Sequence, residues 1–218
     1  MIGYFITGTD TDAGKTYTTC ALIRYFQAQG QRVLPLKPVS SGGAPSPEGL
    51  VNEDALAMQR ACHWTPPYED INPYCAAPPI APHIAMPERL VPNTIAKHCL
   101  QMAQKHRPDV MLVEGVGGWQ VPMNAHDSFS DLAISLGLPV ILVVGLRLGC
   151  LNHALLTYQA IQNTSLPIAG WVANHIDPDM AVQEENIHTL QTRIHAPLLA
   201  TIQHTQTEVT FNFEAAGQ

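Results

Sequence analysis

Residues 8–16 read GTDTDAGKT, and this stretch restricts what the chain can fold into more than any other. It fits the pattern G-x-x-x-x-G-K-[ST], with Gly8, Gly14, Lys15 and Thr16 in the fixed positions. The flanks agree with the motif. Ile2 to Thr7 is a short apolar run that reads as a buried strand, and Ala21, Leu22, Tyr25 and Phe26 recur at helical spacing between about Lys15 and Gln29. A glycine-rich turn between a strand and a helix start points successive backbone N–H groups into one cavity. The helix N-terminus adds positive potential, the lysine reaches β- and γ-phosphates, and the Thr16 hydroxyl suits Mg²⁺. A chance glycine-rich turn would not need both flanks.

The rest of the chain reads as a continuation of strand–helix–strand. Gly30 is placed to end the first helix, and a second strand spans about Val33 to Lys37. Further strands are expected at Val110 to Glu114, Pro139 to Val144, Ile168 to Asn174 and Pro197 to Ile202, and helices at Thr94 to Lys105 (capped by Asn93), Cys150 to Gln162 and Met180 to Ile194. The apolar run at 139–144 has no polar residue and so reads as a central strand. Ten of the eighteen prolines lie between Pro45 and Pro92, so this region, about 41–93, is expected to be a functional excursion from the sheet, with one helix near Glu53 to Ala61. From Gln203 the tail gives a weak signal. The expected fold class is α/β, an open, mostly parallel, doubly wound sheet with helices on both faces, built as one domain over residues 1–218.

Charge narrows the function classes. Eleven Lys+Arg against eighteen Asp+Glu give a net charge of −7, which argues against nucleic acid as a partner. No apolar run approaches the roughly 18 residues that span a bilayer, so no membrane partner is expected. MIGYFITGT lacks the basic start of a secretory signal, and the five scattered cysteines form no CxxC; the expected setting is cytoplasmic with reduced thiols.

The candidate chemistry follows from the phosphate loop. Glu114 ends an apolar strand and precedes Gly115, Gly117 and Gly118, where backbone can approach a ligand closely. Asp54 begins the helix of the excursion. Its position suits a second Mg²⁺ carboxylate or merely the dipole of a first helical turn. Lys37 is one of only four lysines. At the end of the second strand, expected next to the phosphate-loop strand, it reads either as a cation facing the phosphates or as a solvated strand end; Lys97 and Lys105 read as solvated. The ten histidines show no His-x-x-x-His pair and no zinc spacing, and Ser40, Ser41 and Asp131 make no G-x-S-x-G elbow.

Seven segments taken together resemble one family. They are GTDTDAGKT, LKPVSSG (36–42), NEDALAMQ (52–59), NPY (72–74) with PHIA (82–85), VEGVGGW (113–119), PVILVVGLRLGCLNHALLT (139–157) and AGWVAN (169–174), in this order. The chain is similar to the dethiobiotin synthetases over roughly residues 1–202. The resemblance implies a P-loop α/β fold and the substrates 7,8-diaminononanoate, CO₂ or bicarbonate, and ATP, with Mg²⁺ as cofactor. One amine captures CO₂ as a carbamate, whose oxygen attacks the γ-phosphate. The second amine attacks the resulting carbamic-phosphoric anhydride, closing the ureido ring and releasing phosphate.

By the same resemblance, Lys37, Lys15 and Thr11 serve catalysis, and Thr16, Asp54 and Glu114 hold the metal. Gly8, Asp12, Ala13, Gly14, Lys15, Thr16, Tyr17, Gly115, Val116, Gly117, Asn174, His175, Gln203 and His204 serve the nucleotide. Ser41 would meet the reacting end of the substrate. Gly149, Cys150, Leu151 and Asn152, at a helix start, would receive its distant carboxylate across a homodimer interface. Three departures stand out: Asp12 where Glu is usual, Arg147 where Lys is common, and Gln203-His204-Thr205 where a Pro-Trp-like loop is usual. Two other readings compete. Amide-forming relatives of the CTP synthase kind carry a glutaminase domain, for which 218 residues leave no room. A ParA- or MinD-like ATPase switch would have an extra lysine early in its loop, where this chain has Thr9 and Asp10.

Overall fold

The computed structural model describes residues 1–47, 49–86 and 90–213. Strand β1 (Ile2–Gly8) enters the phosphate loop, helix α1 (Lys15–Ala28) leaves it, and β2 (Val33–Leu36) follows. The excursion holds β3 (Val39–Ser41), β4 (Ala44–Ser46), β5 (Gly49–Val51), α2 (Glu53–Ala61), α3 (Tyr68–Ile71), β6 (Tyr74–Ala76) and α4 (Pro82–Ala85). Then come α5 (Pro92–His106), β7 (Val110–Gly118), α6 (Phe129–Leu136), β8 (Val140–Gly145), α7 (Cys150–Gln162), β9 (Ile168–Asn174), α8 (Gln183–Arg193) and β10 (Leu198–Ile202).

Six strands form one sheet in the order β10-β9-β8-β1-β7-β2, every pair parallel. Alternate strand residues feed two separate cores, as the two-residue period of a strand requires. Phe5, Leu36, Val113, Leu142 and Val144 pack toward α5, α6, α7 and α8. Ile6, Val33, Leu112, Ile141 and Val143 pack toward α1 and α2. The sheet is therefore covered on both faces, and β8 is buried at every residue. Each such aliphatic side chain contributes roughly 1.5–3 kcal/mol relative to exposure. The chain first builds β2 and β7 on one side of β1, then β8, β9 and β10 on the other. That reversal opens a crevice at the carboxyl ends of β1 and its neighbours, where a doubly wound sheet binds ligands.

Helices α2 and α7 and strand β9 occupy the expected residues, and Gly30, with φ of +78°, follows the end of α1. Other elements differ. Strand β2 is not next to β1: β7 lies between them, because a crossover of this kind leaves room for a later strand to insert. Asn93 does not cap α5; Val91 holds the cap position and Pro92 opens the helix, where its missing N–H is no loss. Strand β7 runs four residues beyond Glu114, so Glu114 sits within the strand. Helix α6 is an addition to the expected elements, although Ser128 and Asp131 form a capping box at its start. Finally, the tail docks: Phe211 is buried, and the Phe213 ring lies tilted against Phe26, Tyr4 and Tyr25 with centroids 5.3–5.7 Å apart.

Candidate active site

The shape of the phosphate loop depends most on Gly14, where no larger side chain fits. Gly14 has φ of +87°, and a Cβ there would lie 1.9 Å from Asn174 Nδ2. A Cβ on Gly8 would press on the stem of Lys15 at 3.1 Å. Asp12 also adopts a left-handed backbone, with φ of 61°, which Asp tolerates better than most residues. Ala13 is buried, and its carbonyl accepts a 3.0 Å hydrogen bond from Asn174 Nδ2. Lys15 is buried too, its Nζ donating to the carbonyl of Asp10 at 3.0 Å. Burial pulls the Lys15 ammonium below its ordinary value, and the nearby charge of Lys37 adds to that effect.

Behind the loop lies a charged cluster built from three elements. Parallel pairing sets Leu36 of β2 opposite Val113 of β7, so the next residues along, Lys37 and Glu114, fall side by side. Glu114 is 1% exposed. It accepts from the hydroxyls of Thr16 and Thr19 on α1, both at 2.7 Å, and from Lys37 Nζ at 2.6 Å. Lys37 Nζ also lies 2.9 Å from Asp54 Oδ2. Burial, the largest single influence, works against the Lys37 ammonium, but the charges of Glu114 and Asp54 together raise it above its ordinary value. Burial likewise pushes the Asp54 carboxyl up, and the charge and hydrogen bond of Lys37 outweigh it, so Asp54 is held below the usual carboxylate value. Lys37 is thus a buried cation between two carboxylates, and the solvated reading fails.

Lys37 and Asp54 of this cluster border, with much of the loop, one cleft of about 640 Å³, while Glu114, Gly8 and Ala13 lie outside its lining. Thr11, Asp12, Gly14, Lys15, Thr16 and Tyr17 line one side, Lys37, Ser40, Ser41, Asn52 and Asp54 another. Residues 79–82 close over it, and Val116, Gly117 and Val121 complete the wall. Gly117, with φ of +60°, has no room for a Cβ beside Val121 and lies beneath Thr11. The oxygen-only set of Thr16, Asp54 and Glu114 is the donor chemistry of a hard divalent cation, and Asp54, with its side chain 48% exposed, opens it to the cleft.

Other candidate residues stand apart from this cleft. Gly115 is buried against Phe5. Asn174, His175, Gln203 and His204 gather at the ends of β9 and β10: His175 Nδ1 meets Gln183 Oε1 at 2.6 Å and its Nε2 lies 3.5 Å from Gln203 Nε2. None of Gly149, Cys150, Leu151 and Asn152 lines the cleft. Gly149 caps α7 with φ of 94°, and the Cys150 N–H already donates to the Arg147 carbonyl at 2.9 Å, which leaves the N–H groups of Leu151 and Asn152 as donors. Sequence reasoning missed Thr19, although it follows Thr16 by three residues on the same helix face. It also missed the ion pair between Arg147 and Asp10, which ties the turn before α7 to the phosphate loop.

A phosphate loop at the switch point of a parallel sheet, with a buried lysine and carboxylates behind it, defines the P-loop nucleotide-binding α/β proteins. A family model described as an AAA domain matches residues 3–209. Among solved structures, the septum site-determining protein MinD of Pyrococcus horikoshii, complexed with Mg-ADP, superposes with a TM-score of 0.57 at 18% identity, covering 93% of this chain and 80% of that one. Chloroplast FtsY of Physcomitrella patens gives a TM-score of 0.57 at 14% identity, covering 100% and 65%. At such identities the likeness is one of fold. The sequence is closer to a narrower group. It is 48% identical over 202 residues to the ATP-dependent dethiobiotin synthetase of Cellvibrio japonicus, covering 91% of this chain and 88% of the relative. With that of Nitrosospira multiformis it shares 45% over 211 residues, covering 94% and 89%. This chain belongs to the ATP-dependent dethiobiotin synthetase family.

Proposed function

We infer that this chain makes dethiobiotin in biotin biosynthesis, joining 7,8-diaminononanoate and CO₂ with the conversion of ATP to ADP and phosphate. The observation that carries the reading is the convergence of Lys15, Thr16, Lys37, Ser41 and Asp54 on one cleft over the phosphate loop, in a chain of this family. The chemistry asks little covalent help of the protein; it asks that reactants be held in line and that cations stand where negative charge gathers. Lys15 and Lys37 supply those cations to the transferring γ-phosphate from a water-poor setting, where they act most strongly. Thr11 and Ser41 face the carbamate and the substrate amines. The backbone of residues 12–17 and of Val116 and Gly117 cradles the phosphates, with Gly115 packed behind them, and Asn174, His175, Gln203 and His204 flank the base.

Thr16, Asp54 and Glu114 would hold Mg²⁺, whose chemistry when bound is to neutralise charge on the β- and γ-phosphate oxygens. Lys37 sits between the two carboxylates at the edge of the cleft, where its ammonium would meet the γ-phosphate. The N–H groups of Leu151 and Asn152, beside Gly149 and Cys150, would receive the substrate carboxylate bound mainly by the other subunit of a homodimer. A cytoplasmic setting is part of this reading; among the described residues no helix is long and apolar enough to cross a membrane.

Incubation with 7,8-diaminononanoate, bicarbonate and Mg·ATP tests the reading. Dethiobiotin should appear by mass spectrometry with one phosphate released per product. EDTA should stop the reaction and added Mg²⁺ restore it. ATP hydrolysis without dethiobiotin would replace this reading with that of an ATPase switch.

A further inference from the structure

Lys37 and Asp54 are joined directly by their 2.9 Å salt bridge and a second time, behind the cleft, by a run of hydrogen bonds. Lys37 lies one residue past β2, and the segment after α3 grips its peptide groups. Its N–H donates to the carbonyl of Ile71 at 3.0 Å, and its carbonyl accepts from Asn72 Nδ2 at 2.5 Å. Asn72 Oδ1 accepts from the hydroxyls of Ser40, at 2.9 Å, and Tyr68, at 2.8 Å. The Tyr68 oxygen in turn accepts the N–H of Asn52 at 2.7 Å. Asn52 caps α2, its Oδ1 accepting from the N–H groups of Asp54 and Ala55 at 3.1 and 3.3 Å. Its Nδ2 donates to the carbonyl of Ser41 at 3.1 Å. The salt bridge closes the ring.

The Asn52 N–H can only donate, so the Tyr68 hydroxyl is free to give its own proton, and beside the Cys75 thiol it donates to Asn72 Oδ1 at 2.8 Å. That orients the Asn72 amide with its N–H toward the Lys37 carbonyl. Burial pushes the Tyr68 phenol up to about 12, so the hydroxyl keeps that proton at neutral pH. Asn72 is 4% exposed and Asn52 7%, which leaves water little access to either. No strand pairing ties Lys37 to α2, for one follows the end of the sheet and the other belongs to the excursion.

We propose that Asn72, oriented by Tyr68, is a positioning residue for the reaction: it locks the Lys37 backbone to the start of α2, so that the ammonium and the Asp54 carboxylate keep one fixed spacing as the γ-phosphate is transferred. The inference rests on the role given above to Lys37. Its competitor is a network that only satisfies buried polar groups. The two differ in what moves. A structural role lowers the melting temperature and leaves kinetics intact; a positioning role acts on kcat.

The test compares Tyr68→Phe, Asn72→Asp and Lys37→Gln with the intact chain. Tyr68→Phe removes one oxygen and keeps the ring packing. Asn72→Asp keeps the shape but turns an acceptor toward the Lys37 carbonyl. For both, kcat should fall about ten- to a hundredfold, the scale on which a displaced catalytic group is felt. KM for ATP should stay within about twofold, as expected when only transition-state interactions are lost. Calorimetry should find Mg·ADP binding unchanged. Adding Tyr68→Phe to Lys37→Gln should bring no further loss, since the group being positioned is already gone. The inference is overturned if Tyr68→Phe keeps wild-type kcat while Lys37→Gln is inactive, or if the losses multiply in the double variant. If Lys37→Gln itself turns over normally, the role of Lys37 fails, and the positioning role with it.

Discussion

Lys37 stands 2.6 Å from the buried Glu114 carboxylate and 2.9 Å from the half-exposed one of Asp54, so its charge is set in place before any phosphate arrives. A preorganised cation of this kind is typically worth about 3–4 kcal/mol in the transition state. Lys37→Gln and Lys15→Ala should therefore each lower turnover about 10²- to 10³-fold. Lys97→Ala, at an exposed position, should leave turnover unchanged. Steady-state assays of the three variants, beside melting curves that show each is folded, check the prediction; a Lys37→Gln variant that keeps most of its activity would sink it. Gly14 adds a steric test. With φ of +87° and the Asn174 amide 1.9 Å from an added Cβ, Gly14→Ala should abolish nucleotide binding by calorimetry.

At the scale of elements, the excursion is anchored through α3. Asp70 of α3 is 6% exposed and accepts from Lys105 Nζ and His106 Nε2 of α5, both at 2.7 Å. His98 of the same helix reaches the Asp70 carbonyl at 3.2 Å. Lys105 is thus an anchor of the excursion and not a free surface lysine. Burial raises the Asp70 carboxyl, but the hydrogen bonds of Lys105 and His106 outweigh it and hold the group below its ordinary value of 3.8. A carboxyl depressed on folding stabilises the protein fully above its unfolded value and loses that contribution as pH falls through the folded one. Asp70→Asn should lower the melting temperature by roughly 2–6 °C at pH 7. The gap from wild type should close as pH falls below 3.8. Thermal melts over a pH series check this; a gap that persists unchanged in acid would mean that the ion pairs do not carry the anchoring.

For the molecule as a whole, the start of α7 poses the largest question. Leu148 is 95% exposed beside it, yet the turn is tied inward by the pair between Arg147 and Asp10. If this turn completes the site of a second subunit, two differently damaged chains should rescue each other. Lys15→Ala disables the phosphate loop, and Leu151→Glu sets a repelling carboxylate where the substrate's own would bind. Each homodimer should be nearly inactive. In a mixed dimer one site carries both lesions and the other neither, so random exchange should restore about a quarter of wild-type activity under two-fold symmetry. Sizing must show that both variants dimerise and exchange subunits; with that shown, no recovery would mean that each site is built within one chain.

Local rules reached far in this chain because they act locally. The phosphate loop, the apolar run of β8 and the spacing of α2 each depend on neighbours within a turn or a strand, and so the doubly wound class and the residues of the phosphate loop were legible in the sequence, whereas the candidates for the base and for the substrate carboxylate came from the family resemblance alone. Even α6 carried its signal, in the capping box of Ser128 and Asp131. What the order of residues could not contain is which strand lies beside which. Val33–Leu36 reads as the neighbour of β1, and only the later insertion of β7 between them, in register Leu36 to Val113, puts Lys37 against Glu114. The same holds for Asn72 at Lys37, for Thr19 at Glu114 and for the tail's Phe211 and Phe213 against Tyr25 and Phe26. These contacts join residues 35, 95 and more than 180 positions apart, and they are decided by the packing of whole elements, which no local periodicity encodes.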